Sequence, residues 1–254
     1  MKIIQFNLKN LLVVMACVVL VPLVKADWKI VEKANPLGPG SAVDVLQNGK
    51  PVARLVHGEG QIKPFLHVFG TDGELVTNPG VDKEGKGAGL FNHHRGIFIG
   101  WNKVSSELGT YDMWHRGGPG QGRYDIVKFE NKVGKKFGSI VANIKWRATK
   151  KDAAGSDVII TERRVFKVSR PRGAFTQVDA SFELNAERDV SLGGDLQHAG
   201  VHFVPMLRLQ NVTRKQAICG SLAKPRALVG SSMTTTSGRG YFSQLVNGGT
   251  LLRK

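Results

Sequence analysis

Cysteine is nearly missing from this chain: there are two in 254 residues, Cys17 and Cys219. Cys17 lies inside an apolar N-terminal run, which leaves Cys219 alone and excludes a fold stapled by internal disulfides. Long apolar runs are as scarce. Past Val24 nothing approaches the roughly 18 apolar residues that a spanning helix needs, so no helical membrane span is expected in the rest of the chain. No stretch past that point carries the 3.6-residue apolar period of an amphipathic helix. Aromatic residues make up 7% of the chain and do not interleave with the basic ones, which argues against nucleic acid as a partner.

Acidic residues stop at Asp195. Residues 196–254 hold eight Lys or Arg and no Asp or Glu. From about Pro205 the alternation seen earlier fades, and Ser231-Ser232-Met233-Thr234-Thr235-Thr236-Ser237-Gly238 has little to bury. The expectation is a domain over residues 27–204 followed by an atypical tail over 205–254, either disordered or frame-shifted, so that the C-terminal part of the domain is incomplete. Asn211-Val212-Thr213 matches a glycosylation sequon.

At the other end, Lys2 and Lys9 precede an apolar run that closes on Val24-Lys25-Ala26, the pattern of a secretory signal peptide over residues 1–26. A lipid anchor on Cys17 is the alternative. The chain is therefore expected to be exported, periplasmic or extracellular. Removing the leader takes three lysines and no acids, which lowers the formal net charge from +16 to +13. That excess fits an anionic polysaccharide as partner.

Between the ends the pattern is that of strands. Asn48-Gly49 separates two β-rich runs, a strong hairpin signal. Further runs at 64–69, 96–101, 124–132, 138–148, 158–168 and 174–184 are divided by turn residues. Short strands at regular spacing predict an all-β, antiparallel β-sandwich. Trp28 and Trp146 read as structural, His57 and His67 as packing residues, and Trp101 as core before pocket.

Two segments concentrate polar and aromatic side chains: residues 89–115 and 194–203 hold five of the seven histidines. A metal is the sharp reading, and simple geometry opposes it. His93 and His94, if extended, point to opposite faces. His198 and His202, if both on a strand, stand about 13 Å apart. No metal and no cofactor is therefore assigned. A carbohydrate pocket is the second reading, with a ring for the sugar's apolar face and fixed polar groups for its hydroxyls. His94 and His202 are the candidate catalytic acids, with Asp112 or Asp195 as base or orienter. Arg95, Asn92, Trp114, Tyr111 and His198 are the candidate substrate-binding residues.

Lys63-Pro64-Phe65-Leu66-His67-Val68-Phe69-Gly70-Thr71-Asp72-Gly73, Asn92-His93-His94-Arg95-Gly96, Tyr111-Asp112-Met113-Trp114 and Asp195-Leu196-Gln197-His198-Ala199-Gly200-Val201-His202-Phe203 together resemble the exported bacterial PmoA-like family, whose members carry the label "methane oxygenase PmoA". The resemblance covers about residues 40–204. It implies an exported β-sandwich similar to the sugar-processing supersandwich folds related to galactose mutarotase. The leading functional expectation is a carbohydrate-active protein, an epimerase, lyase or hydrolase. A non-catalytic module for an anionic glycan is the alternative, and the family label adds a metal-dependent oxygenase.

Overall fold

A computed structural model describes residues 27–80, 93–115, 120–171 and 175–205, together with the backbone of two later strands. The expected leader, Asn92, Cys219, the sequon at Asn211 and the polar stretch 231–237 lie outside the described residues. In chain order the strands are β1 Trp28–Ala34, β2 Ser41–Gln47, β3 Lys50–His57, β4 Phe65–Val68, β5 Ile97–Trp101, β6 Lys103–Ser106, β7 Gly109–Tyr111, β8 Arg123–Phe129, β9 Lys132–Gly134, β10 Phe137–Arg147, β11 Val158–Ser169, β12 Thr176–Ala186, β13 Ser191–Gly193, β14 Ala199–Phe203, β15 Gly238–Asn247 and β16 Thr250–Leu252. Among the described residues no helix is long and apolar enough to cross a membrane.

The local chemistry explains the strands. Asn48 (φ +51°) and Gly49 (φ +76°) both take the left-handed conformation that a two-residue hairpin requires, and β2 and β3 pair on either side of them. Along β10, Ile140, Ala142, Ile144 and Trp146 point one way; on β12, Val178, Ala180 and Phe182 do the same. This period of two buries one face of each strand.

Antiparallel pairing builds three sheets. The first runs β1-β2-β3-β4-β5-β14, the second β16-β15-β12-β11-β10-β8 with β9 also on β10, and a small third one β13-β6-β7. The inward residues of the second sheet meet Val43, Val45, Leu55, Leu66, Val68, Ile97 and Ile99 of the first in one apolar core. The fold is the antiparallel β-sandwich that the alternation predicts. Past residue 205, where the sequence pattern fades, the backbone of β15 pairs along β12 from Thr176 to Leu184.

Two inward positions of β11 are charged. Arg164 donates through Nε to Glu162 Oε1 (2.6 Å) and through Nη2 to Oε2 (2.9 Å), while its Nη1 reaches the carbonyl of Pro64 (2.7 Å). The indole of Trp146 donates to Glu162 Oε2 at 2.7 Å. Both charged side chains are fully buried, so the pair survives only because hydrogen bonds replace the lost water. It also ties the second sheet to Pro64, where the chain enters β4.

The structural readings of single residues hold where they can be seen. Trp28 and Trp146 are buried, His67 is buried with Nδ1 at 3.0 Å from Thr77 Oγ1, and His57 meets Phe129 edge-on at 5.2 Å. Trp101 packs partly buried against the main core, 6.0 Å from Trp146.

Candidate metal centre

Alternation sends the side chains of the first sheet to two faces. On β5 and β14, Ile97, Ile99, Val201 and Phe203 turn toward the sandwich core, whereas the cross-strand neighbours Phe98 and His202 turn outward and stack at 5.7 Å. Phe98, Phe65 of β4, Val56 of β3 and the fully buried Trp114 form a second apolar cluster on this outer face. Lys63 lies on it, 4.1 Å from the Phe98 ring centroid and 4.6 Å from that of Trp114, and its ammonium donates to the Trp114 carbonyl.

Three short segments bring imidazoles over this floor. The first is the turn at 93–96, which leads into β5. Buried Asn78 donates its side-chain amide to the His94 carbonyl (2.8 Å), and its own carbonyl accepts from the Gly96 amide (3.3 Å). Gly96 sits at φ +56°, and a Cβ there would lie 2.3 Å from the Leu66 carbonyl oxygen, so only glycine lets the turn close on β4. In this turn the His93 and His94 rings lie 4.4 Å apart on the same side. The extended geometry expected to separate them does not occur.

The other two segments share one design. Asp112 accepts the backbone amides of Trp114 (2.7 Å) and His115 (2.9 Å) through Oδ1, and its Oδ2 takes the His115 Nδ1 proton at 2.8 Å. Asp195 accepts the Gln197 amide (3.0 Å) and the His198 Nδ1 proton (2.7 Å) through Oδ1, and Asn102 holds its Oδ2 at 2.9 Å. In each Asp-x-x-His turn the carboxylate fixes the backbone and the tautomer together. With the proton on Nδ1, each Nε2 presents a lone pair, the arrangement of a carboxylate-oriented metal ligand. The His115 and His198 rings lie 4.6 Å apart.

All five imidazoles therefore converge. His93 is 5.0 Å from His115, and His94 is 5.9 Å from His198 and 6.4 Å from His202. One ligand nitrogen each from His93, His94 and His198 lies within 4.8 Å of the others. The strand spacing that seemed to part His198 from His202 does not apply, because His198 lies in the turn before β14 and only His202 is on the strand. Both rings pack against Trp114, at 5.6 and 4.5 Å.

Burial and mutual crowding keep several of these groups neutral. His94 is pushed down to about 3, first by burial and then by His93 and Lys63; His93 falls to about 4 by burial, Lys63 and the neighbouring imidazoles. Burial also lowers His202 to about 4 and Lys63 to about 7. Burial would raise Asp195, but the hydrogen bonds from His198, Asn102 and the Gln197 amide outweigh it and hold its carboxyl low. Beside the cluster, Gly60, Gln61, Ile62, Lys63, Phe65, His93 and Arg95 line a small open cleft, with Arg95 Nη1 donating to Gln61 Oε1 at 3.0 Å.

Of the sequence-predicted site, His94, His202, His198, Asp112, Asp195 and Arg95 are brought together. The carboxylates of Asp112 and Asp195 orient His115 and His198. Tyr111 is a correction: it is buried in the main core with its hydroxyl on the Leu108 carbonyl. Trp114 is another, for a fully buried indole offers no stacking face to a sugar; its Nε1 donates to His94 Nε2 at 3.2 Å. Sequence reasoning missed His115 and Lys63. The repeated Asp-x-x-His spacing of 112–115 and 195–198 was the signal that could have found the first.

Comparison with known proteins returns one result. The model of a family of unknown function (DUF6807) matches residues 42–221. No curated protein and no solved structure matches the chain.

Proposed function

We propose that this chain, which belongs to the family of unknown function DUF6807, is a metal-dependent protein. Its centre consists of His93, His94 and His198, and it binds and processes a small oxygen-rich ligand, a carbohydrate being the expected class. The observation that carries this reading is the convergence of three ligand nitrogens within 4.8 Å. Imidazole sets of this kind suit zinc, iron or copper. Ligands about 2.0–2.1 Å from one ion sit roughly 3.3 Å apart in a tetrahedron, so the triad must close by about 1.5 Å, an adjustment of side-chain torsions. Ligation through His94 Nε2 would displace the Trp114 indole, costing about 0.5–1.5 kcal/mol. That is small beside the ~10–16 kcal/mol with which zinc-finger peptides hold their structural zinc.

Three protein ligands leave coordination positions open, which is how a bound ion polarises a substrate oxygen or lowers the pKa of water. His115 and His202, outside the triad but against its rings, are the groups placed to move protons. Export to the periplasm or beyond belongs to the same proposal, resting on the leader-like N-terminus.

Metal content of the full chain purified without chelator tests the reading. About one equivalent of zinc, iron or copper is expected, lost in His198→Ala and kept in His57→Ala. Less than about a tenth of an equivalent, with no uptake on reconstitution, would overturn it. Iron or copper in place of zinc would favour the metal-dependent oxygenase alternative, which the family label alone suggests.

A further inference from the structure

The two Asp-x-x-His turns are fastened to the sandwich differently. The turn at 112–115 is held by the chain that follows it: the Asp112 amide donates to the Gly120 carbonyl (2.8 Å), the Gly122 amide to the Asp112 carbonyl (3.1 Å), and the Gln121 side chain to the His115 carbonyl (3.0 Å). The turn at 195–198 is gripped at both ends by one residue in the corner between β5 and β6. Asn102 donates its backbone amide to the His198 carbonyl at 2.9 Å and its side-chain amide to Asp195 Oδ2 at 2.9 Å.

The other end of that carboxamide supplies a second, independent observation. With Nδ2 on Asp195, Asn102 Oδ1 is buried and accepts from no group among the described residues. Gly194, at φ +119°, packs its backbone over this oxygen, and a Cβ there would overlap it. A buried acceptor left unpaired lowers stability. Turning the amide over brings no relief, because it would set one acceptor against another. The Asp195 side chain is 54% exposed, so water can satisfy its Oδ2 without Asn102. The bond between the two side chains is therefore not explained by folding.

Resting on the metal reading above, we propose that Asn102 is a positioning residue of the centre. It fixes Asp195, which fixes the proton on His198 Nδ1 and so aims the Nε2 lone pair at the ion. Its side chain serves metal affinity at the expense of stability.

The test uses the full chain with Asn102→Ala, which keeps the backbone bond to His198 and removes both the donor and the unpaired acceptor. Zinc affinity, read by competition with a chelator, should fall about tenfold. The melting temperature of the metal-free chain should stay within about 3 °C of the unaltered one, or rise. In an Asp195→Ala background the same substitution should change zinc affinity by less than about twofold, because the residue acts through that carboxylate. Nitrogen NMR of the metal-free chain should find the His198 proton on Nδ1 in the unaltered chain and shared between both ring nitrogens in Asn102→Ala. A variant that fails to fold, or that melts well below the unaltered chain with its zinc affinity intact, makes Asn102 structural and overturns the inference. An additive loss in the double variant overturns it too, and in each case the metal reading stands. If the unaltered chain takes up no zinc, iron or copper, the metal reading fails, and the tautomer of His198 then decides whether Asn102 positions that ring.

Discussion

The sandwich interior and the outer face of its first sheet both bury charged or ionisable side chains, and they do so in opposite ways. In the interior, Arg164 meets Glu162 through two hydrogen bonds and Pro64 through a third, with Trp146 closing the set. Opposite charges neutralise one another, and the network has no opening to solvent. On the outer face the neighbours are alike: five imidazoles, Lys63 and Arg95 crowd together, while Asp112 and Asp195 attend to only two of the rings. The first arrangement is compensated within the chain, each buried charge being matched by its partner. The second asks for something negative or electron-poor from outside. On the metal reading proposed above, the second arrangement serves binding and not stability.

The largest effect should come from breaking the interior network. Arg164→Met leaves Glu162 charged, buried and facing an apolar side chain, which costs about 3–5 kcal/mol. Chemical denaturation of the metal-free chain would read it directly. The double change Glu162→Leu with Arg164→Met should recover most of that loss, because two matched apolar groups replace two matched charges. If the single and double variants are equally unstable, volume and not charge decides this part of the core.

A second, smaller effect separates a packing histidine from the crowded ones. Burial, with the charges of Arg54 and Arg95, pushes His67 down to about 3. The unfolded chain protonates this ring below about 6.5, whereas the folded chain keeps it neutral. The unfolded state therefore binds the extra proton, and the contribution of His67 is constant above pH 6.5 and lost as the pH falls toward 3. Between pH 7 and pH 4 the stability advantage of the chain over His67→Gln should shrink by about 3 kcal/mol. Parallel pH profiles for the two, in the presence of chelator, would show that His67 is not the group responsible.

Much of the architecture could be read from residue order alone, since alternation and the Asn48-Gly49 turn are local signals. The two histidine-bearing segments were also legible as partners, and their rings at positions 94 and 202 do meet. What escaped depends on distance in sequence. Nothing near Lys63 announces that its ammonium will lie on Phe98, and nothing near Tyr111 shows that its hydroxyl turns back to Leu108. Trp114 has polar neighbours on the chain but apolar ones in space. The objection to a metal failed for a related reason: it assumed extended backbone at His93, His94 and His198, where the chain turns.

The smallest effect sharpens the contrast inside the cluster. Asp195 orients His198, a proposed ligand, and Asp112 orients His115, which stands outside the triad. Asp195→Asn keeps an acceptor for the Nδ1 proton but removes the charge that makes the ring a better donor to metal. Substitutions of this kind cost about 10–100-fold in metal affinity. Asp112→Asn should change metal affinity by less than about threefold, although both turns have the same local geometry. Competition between each variant and a chelator of known affinity separates the two outcomes. Equal losses would make His115 a fourth ligand, close the coordination shell on four imidazoles, and remove the open positions on which turnover at this centre depends.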